Sequence, residues 1–119
     1  MPGVFLTSDL LFSSKVTGAA TARGLNLEIV SSSAELLAMV SAEAAEFVLL
    51  DLSTAGLEPG DLVDRLRRLA RPPRAIVAFA PHVHKAKLDA AREAGCNLVL
   101  SRGQLSRQVD QLLADYLEA

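Results

Sequence analysis

The stretch FVLLDLSTAG, residues 47–56, begins as an apolar run and then stops on a single carboxylate, Asp51. The predicted strand, residues 47–52, is apolar apart from Asp51 and shows no alternation of polar and apolar side chains, which is typical of a parallel strand covered on both faces. VFL at residues 4–6 and AIVAFA at residues 75–80 have the same character. The pattern predicts a central parallel sheet with Asp51 at the end of one strand.

Segments of helical period separate the apolar runs. Predicted strands cover residues 4–7, 25–30, 47–52, 75–80 and 98–101. Predicted helices cover residues 9–23, a segment that starts at 32, a segment from 61 to the Pro72–Pro73 pair, residues 84–94 and residues 105–119. Gly24 and Gly95 are suited to left-handed caps after two of these helices, and Ser32 with Glu35 has capping-box spacing.

The order of elements is therefore strand–helix repeated five times, which requires right-handed crossovers and helices on both faces of the sheet. The second strand, LNLEIV at residues 25–30, alternates polar and apolar side chains and so suits a sheet edge. This favours the strand order 2-1-3-4-5. We expect one α/β domain over residues 1–119, a five-stranded parallel sheet in a flavodoxin-like (βα)5 three-layer sandwich.

Composition excludes several classes of protein. Half of the 119 residues are hydrophobic, but no apolar stretch is long enough to span a membrane. The first residues carry no basic region before an apolar one, so we expect no signal peptide and a cytoplasmic location. A net charge of −2 argues against a general nucleic-acid binder. The arginine-rich residues 65–74 fit a solvated helix face, with an anionic partner surface as the alternative.

Two acids follow strands that meet where the chain order of the sheet reverses. Asp9 comes after the first strand and Asp51 ends the third, and ligands of such sheets bind at this crevice. Neighbouring carboxylates repel unless a cation lies between them, and hard oxygen ligands suit Mg²⁺. The alternative role for Asp9 is an N-terminal cap of the first helix.

Several motifs give this chain a family resemblance. VFLTSD (4–9), FVLLDLSTAG (47–56), AAREAGCNLVL (90–100) and NLVLSRGQL (97–105) resemble the CheY-like receiver domain of bacterial two-component response regulators, over essentially the whole chain. The resemblance implies that Asp51 is the phosphoacceptor and that Asp9 is the second member of an acid pair. It also implies that Asp9, Asp51 and the backbone carbonyl of Ser53 hold Mg²⁺.

Five positions depart from the receiver pattern. Ser8 stands in place of the first acid of the pair, and Ala80 in place of a Thr or Ser hydroxyl that contacts the phosphoryl group. Val99 lies where receivers often carry a switching Tyr or Phe. Arg102 replaces the usual Lys, and Gly103 replaces the Pro after it. We therefore expect weak Mg²⁺ binding and no relay from phosphate to the surface.

The resemblance and its departures predict a stand-alone response-regulator receiver-like domain in phosphorelay signal transduction. We expect a degenerate pseudo-receiver that acts by protein–protein interaction, with a partner or itself, through the fourth helix, fifth strand and fifth helix. In this interpretation Arg102 pairs with Asp51 and neutralises it. The alternative is a functional receiver in which a histidine kinase phosphorylates Asp51 with Mg²⁺ and Arg102 contacts the phosphate.

Other functions have less support in the sequence. Neither a glycine-rich phosphate loop nor a nucleophile elbow is present, so an independent enzyme is not expected. A small-ligand or nucleotide binder at the same crevice stays open as a third class. His82 and His84 lie at a strand-to-helix junction and suit a helix start, with His82 on the rim of the crevice.

Overall fold

The computed structural model describes residues 3–117, in which strands and helices alternate. The strands are β1 Gly3–Leu6, β2 Leu27–Val30, β3 Phe47–Asp51, β4 Ala75–Ala80 and β5 Leu98–Ser101. The helices are α1 Leu10–Ala22, α2 Ser33–Ala42, α3 Pro59–Arg67, α4 Lys85–Ala94 and α5 Arg102–Tyr116. The predicted succession of elements is confirmed.

All neighbouring strands pair in parallel, in the order β2-β1-β3-β4-β5. This is the predicted order. β2 lies at the edge, where Glu28 and Ile29 are exposed, as its alternating sequence predicted. β1 and β3 are buried along their whole length and pair with each other, so their carboxyl ends meet at the reversal point of the sheet.

Apolar side chains form one core on each face of the sheet. Val48 and Leu50 of β3 belong to the core that is covered by α2, α3 and α4. Phe47 and Leu49, which point to the opposite face, belong to the core that is covered by α1 and α5. The predicted three-layer sandwich is thus confirmed, with three helices on one face of the sheet and two on the other.

Helix ends differ from the sequence prediction where caps were overlooked. α5 begins at Arg102, three residues before the predicted start, because Ser101 and Gln104 form a reciprocal capping box. α3 begins at Pro59 rather than near Asp61, since Pro is favoured in the first turn. It also ends at Arg67, before the two prolines.

Two arginines of the arginine-rich segment pair with acids one helical turn earlier, while Arg67 bonds the Gly95 carbonyl and Arg74 pairs with Glu46. Arg65 bonds the carboxylate of Asp61 at 2.9 Å, and Arg68 that of Asp64 at 3.1 Å, both at i,i+4 spacing on an exposed surface. This agrees with the solvated-face interpretation. Among residues 3–117, none of the helices combines the length and apolar character that a membrane crossing requires.

Candidate functional site at the carboxyl end of the sheet

Asp51 is the last residue of β3, and only 6% of it is exposed. The hydroxyl of Thr7 donates to its Oδ2 at 2.7 Å, and the backbone N–H of Ser53 donates to its Oδ1 at 3.0 Å. Both carboxylate oxygens therefore accept hydrogen bonds from the protein. This satisfies a buried polar group that would otherwise be costly.

Asp9 precedes α1 and caps it. Its Oδ1 accepts the backbone N–H of Phe12 at 2.9 Å, and its Oδ2 accepts Nη2 of Arg102 at 2.6 Å. Its own N–H donates to Oγ1 of Thr7 at 3.0 Å. The capping role and the crevice position are therefore both present in one residue, and the Thr7 hydroxyl links Asp9 to Asp51.

Arg102, the first residue of α5, forms its ion pair with Asp9. The predicted pairing of Arg102 with Asp51 is thus wrong. α5 and α1 cover the same face of the sheet, so the guanidinium reaches the acid that caps α1. It also lies 4.5 Å from the ring centroid of Phe12, a cation–π contact that holds it in place.

Thr7 is the site residue that the sequence interpretation missed. It was assigned only as the last residue of the first strand, yet it is 3% exposed and hydrogen-bonded to both acids. The register pairs Leu6 with Leu50, which places Thr7 beside Asp51 on the neighbouring strand. The sequence alone did not indicate this, because the register of the two strands is known only from the structure.

The other predicted site positions lie around the same edge. Ala80 is fully buried at the end of β4, and Val99 is half-buried on β5, where it packs against the core. Ser8 and Ser53 are exposed in the loops after β1 and β3, and Gly103 is exposed in the first turn of α5. Of these five, only Ser53 is hydrogen-bonded to an acid of the pair, through its backbone N–H.

The two histidines have different positions at the start of α4. His84 is the N-cap residue but makes no side-chain capping bond, which fits the predicted helix-start position. His82 is exposed and lines a groove with Phe12 and Arg102. The residues that His82 faces thus include the cation paired to Asp9.

The donor set does not fit Mg²⁺ as it is arranged. Magnesium requires near-octahedral oxygen ligands, usually one or two carboxylates with several waters. Each oxygen of Asp9 and Asp51 already accepts a hydrogen bond. Residues 3–117 also contain no cluster of three or more Asp, Glu, His or Cys side chains placed to hold a metal. A cation bound to Asp9 would also lie beside the Arg102 guanidinium, whose positive charge opposes its binding.

The hydrogen bonds of Asp9 control the pKa of its carboxyl group. The backbone N–H of Phe12 and then the Arg102 guanidinium lower the pKa of Asp9 below its usual 3.8, against a smaller opposing effect of burial. Because the folded pKa is lower than the unfolded one, the stabilisation is complete above the unfolded pKa. It is lost as the pH falls through the folded pKa.

In Arg102→Gln, we expect the pKa of Asp9 to rise but to remain below 3.8, because the Phe12 amide is still its donor. A carboxyl-carbon NMR titration of the natural chain and the variant measures this. Arg107→Gln, an exposed neutral replacement on the same helix, is the control and should leave the titration unchanged. An unaltered Asp9 pKa in Arg102→Gln would contradict the ion pair.

Thr54, in the loop after β3, has a buried hydroxyl without a hydrogen-bond partner among the described residues. We expect Thr54→Val, which keeps the shape and removes the hydroxyl, to raise the free energy of unfolding by about 1 kcal/mol. Thr54→Ser keeps the hydroxyl and loses a methyl group, so it should lower stability. Urea unfolding measures both variants; a Val variant less stable than the natural chain would show that the hydroxyl is satisfied.

Comparison with known proteins supports the fold assignment. No family model matches the sequence, and no curated protein matches it. Solved structures do match. A response regulator from Hahella chejuensis superposes with a TM-score of 0.85 at 13% identity, over 98% of this chain and 94% of that one. The receiver domain of a Pseudomonas aeruginosa sensor histidine kinase, with magnesium in its active-site cleft, gives a TM-score of 0.84 at 11% identity. The match covers 99% of this chain and 98% of that one.

A third structure, the CheY-like protein TadZ from Pseudomonas aeruginosa, gives a TM-score of 0.74 at 24% identity, over 97% of this chain and 98% of that one. These structures are receiver domains or are described as response regulators or CheY-like, and they cover the chain almost completely. The predicted receiver-type fold is confirmed.

Proposed function

We propose that this chain is a receiver-like module of two-component signalling whose acid site is closed by hydrogen bonds from its own backbone and side chains. We propose that it acts by binding a protein rather than by accepting phosphate. One observation carries the proposal. Thr7 and Ser53 occupy the carboxylate of Asp51, while Phe12 and Arg102 occupy that of Asp9.

The chemistry of acyl phosphate formation explains why these bonds matter. An attacking carboxylate needs a free oxygen and nearby positive charge to offset the charge of the phosphoryl group. Oδ2 of Asp51 accepts a hydrogen bond from the Thr7 hydroxyl, and the nearby Arg102 is paired with Asp9. Ala80 supplies no hydroxyl to a phosphoryl group, which removes a charge-assisted bond of about 1.5–3 kcal/mol. The Pseudomonas receiver domain holds Mg²⁺ in its cleft, whereas residues 3–117 of this chain contain no cluster of three or more Asp, Glu, His or Cys side chains placed to hold a metal.

Because a closed site does not change on phosphorylation, we expect the surface that binds a partner to keep one conformation. β5 is the second edge of the sheet, with α4 and α5 beside it. Leu98 and Val99 on this strand are half-buried, and the outer sides of the two helices are exposed. We propose that a protein partner or a second copy binds at this face, and that Val99 in place of a mobile aromatic ring keeps the face in one conformation.

Incubation with acetyl phosphate and Mg²⁺, followed by intact mass measurement, tests the proposal. We expect the natural chain to keep its mass, while a receiver domain that accepts phosphate gains one phosphoryl group under the same conditions. The alternative function, phosphorylation of Asp51, rests on its position at the end of β3. A stoichiometric adduct on the natural chain that is absent in Asp51→Asn would establish that alternative and overturn the proposal.

A further inference from the structure

A groove of about 460 Å³ lies between α1, α5 and the loop after β4, beside the acid pair. Phe12 and Lys15 line it from α1, and Arg102 and Ser106 line it from α5. Pro81 and His82 complete the wall from the loop. Its volume lies in the range of pockets that hold small molecules.

Two cationic side chains are held in this groove. Lys15 donates to the hydroxyl of Ser106, a neutral partner that leaves its charge uncompensated. Arg102 is fixed by Asp9 and by the ring of Phe12, 4.5 Å from its guanidinium carbon. Among the described residues that line the groove, none is acidic. The groove therefore attracts anions, and the ion pair with Asp9 offsets only one of the two charges.

The remaining wall restricts which anion fits. Pro81 presents apolar surface, whereas Phe12 is only 6% exposed and its ring faces the Arg102 guanidinium. The volume is far larger than a single inorganic ion requires. An anion with an attached ring would fill the groove and bury this surface. A neutral ring would leave the Lys15 charge without a counter-ion.

We propose that this groove binds a small organic anion, a carboxylate or phosphate monoester that carries a flat apolar ring. The anionic group pairs with Lys15 and with the exposed part of the Arg102 guanidinium, and the ring packs against Pro81. Binding does not require Asp51 to accept phosphate. The groove can therefore bind its ligand whether or not the acid pair is closed, and failure of one proposal leaves the other in place.

Amide-detected NMR titration of the ¹⁵N-labelled chain tests this with four probes: phenyl phosphate, benzoate, inorganic phosphate and benzyl alcohol. We expect saturable shifts for at least one of the two aromatic anions, with a Kd on the order of 1 mM, at the amides of Lys15, Gly103 and Ser106. Inorganic phosphate and benzyl alcohol should each bind at least about tenfold more weakly. Whichever aromatic anion binds more tightly identifies the preferred head group.

Lys15→Gln removes one cation without touching Asp9, and we expect it to weaken binding about tenfold. Lys87→Gln, the same change at an exposed position on α4 outside the groove, is the matched control and should bind as the natural chain does. The amide spectrum of each variant confirms that it is folded. Equal binding of benzyl alcohol, equal binding of inorganic phosphate, natural affinity in Lys15→Gln, or no saturable shift with either aromatic anion would each overturn the proposal.

Discussion

Replacement of Thr7 with Val is expected to lower the free energy of unfolding by about 2–3 kcal/mol. The hydroxyl of Thr7 is buried and does two things: it donates to Oδ2 of Asp51 and accepts the backbone N–H of Asp9. Valine fills the same space but leaves a buried carboxylate oxygen and a backbone donor without their partner. Bonds to charged groups are worth more than neutral ones, and loss of one partner costs the desolvation of the other.

Thr7→Ser is the matched control, because it keeps the hydroxyl and loses only a methyl group. We expect it to cost about 1 kcal/mol, the value of one buried methyl group. Both variants are measured by urea unfolding with a common slope. If Thr7→Val were as stable as Thr7→Ser, the hydroxyl would not be what satisfies Asp51, and the closed acid site would lose its main support.

The double variant Ser8→Asp with Arg102→Lys is expected to bind Mg²⁺ at least about tenfold more tightly than the natural chain. Ser8 is exposed beside Asp9, so an acid there adds a carboxylate to the crevice. Lysine at 102 has a compact ammonium in place of the planar fork that reaches Oδ2 of Asp9, which releases that oxygen. Both changes raise the number of carboxylate oxygens open to a cation.

The control for this variant is Ser14→Asp with Arg102→Lys, which has the same charge but places the new acid on the exposed side of α1. Isothermal calorimetry measures Mg²⁺ affinity for both. We expect the variant with the acid at position 8 to gain more affinity than the control, which shares only the effect of Arg102→Lys. Equal gains in the two variants would mean that net charge, rather than the geometry of the acid pair, controls metal binding.

Most of the fold could be predicted from the sequence pattern. Uninterrupted apolar runs such as residues 75–80 identified buried parallel strands, and the alternating residues 25–30 identified the edge. Together they predicted the strand order that the structure has. The helix starts were less accurate: a capping box at Ser101 and Gln104 extends α5 towards the site, and periodicity of apolar residues does not report such caps.

The site was predicted only in part, because its bonds depend on side-chain direction. The sequence placed Asp9 and Asp51 at one edge, but the prediction that Arg102 pairs with Asp51 was wrong, because Arg102 pairs with Asp9. The choice of acid depends on α5 packing beside α1, a tertiary feature. Thr7 was overlooked because its role appears only when the register of β1 against β3 is known.

The pairing of Arg102 with Asp9 also changes what the departures from the receiver pattern mean. Arg102 forms an ion pair with Asp9 and stacks on Phe12, so it acts as a fixed cation between α1 and α5. With a buried alanine at position 80, the end of β4 offers no hydroxyl that could follow a phosphoryl group. The departures therefore belong together: they describe a site in which Asp9 has a cationic partner and Asp51 has neutral hydrogen-bond donors, all from within the chain.

The closed acid site is tested most directly by the amide NMR spectrum of the ¹⁵N-labelled chain with and without beryllofluoride and Mg²⁺. Bound together at an aspartate, these two mimic its phosphorylated form. The closed site predicts an unchanged spectrum for Asp51, Ser53, Ala80 and the residues of β5. Saturable shifts at these positions that vanish in Asp51→Asn would contradict it and would show that the carboxylate of Asp51 is free to react.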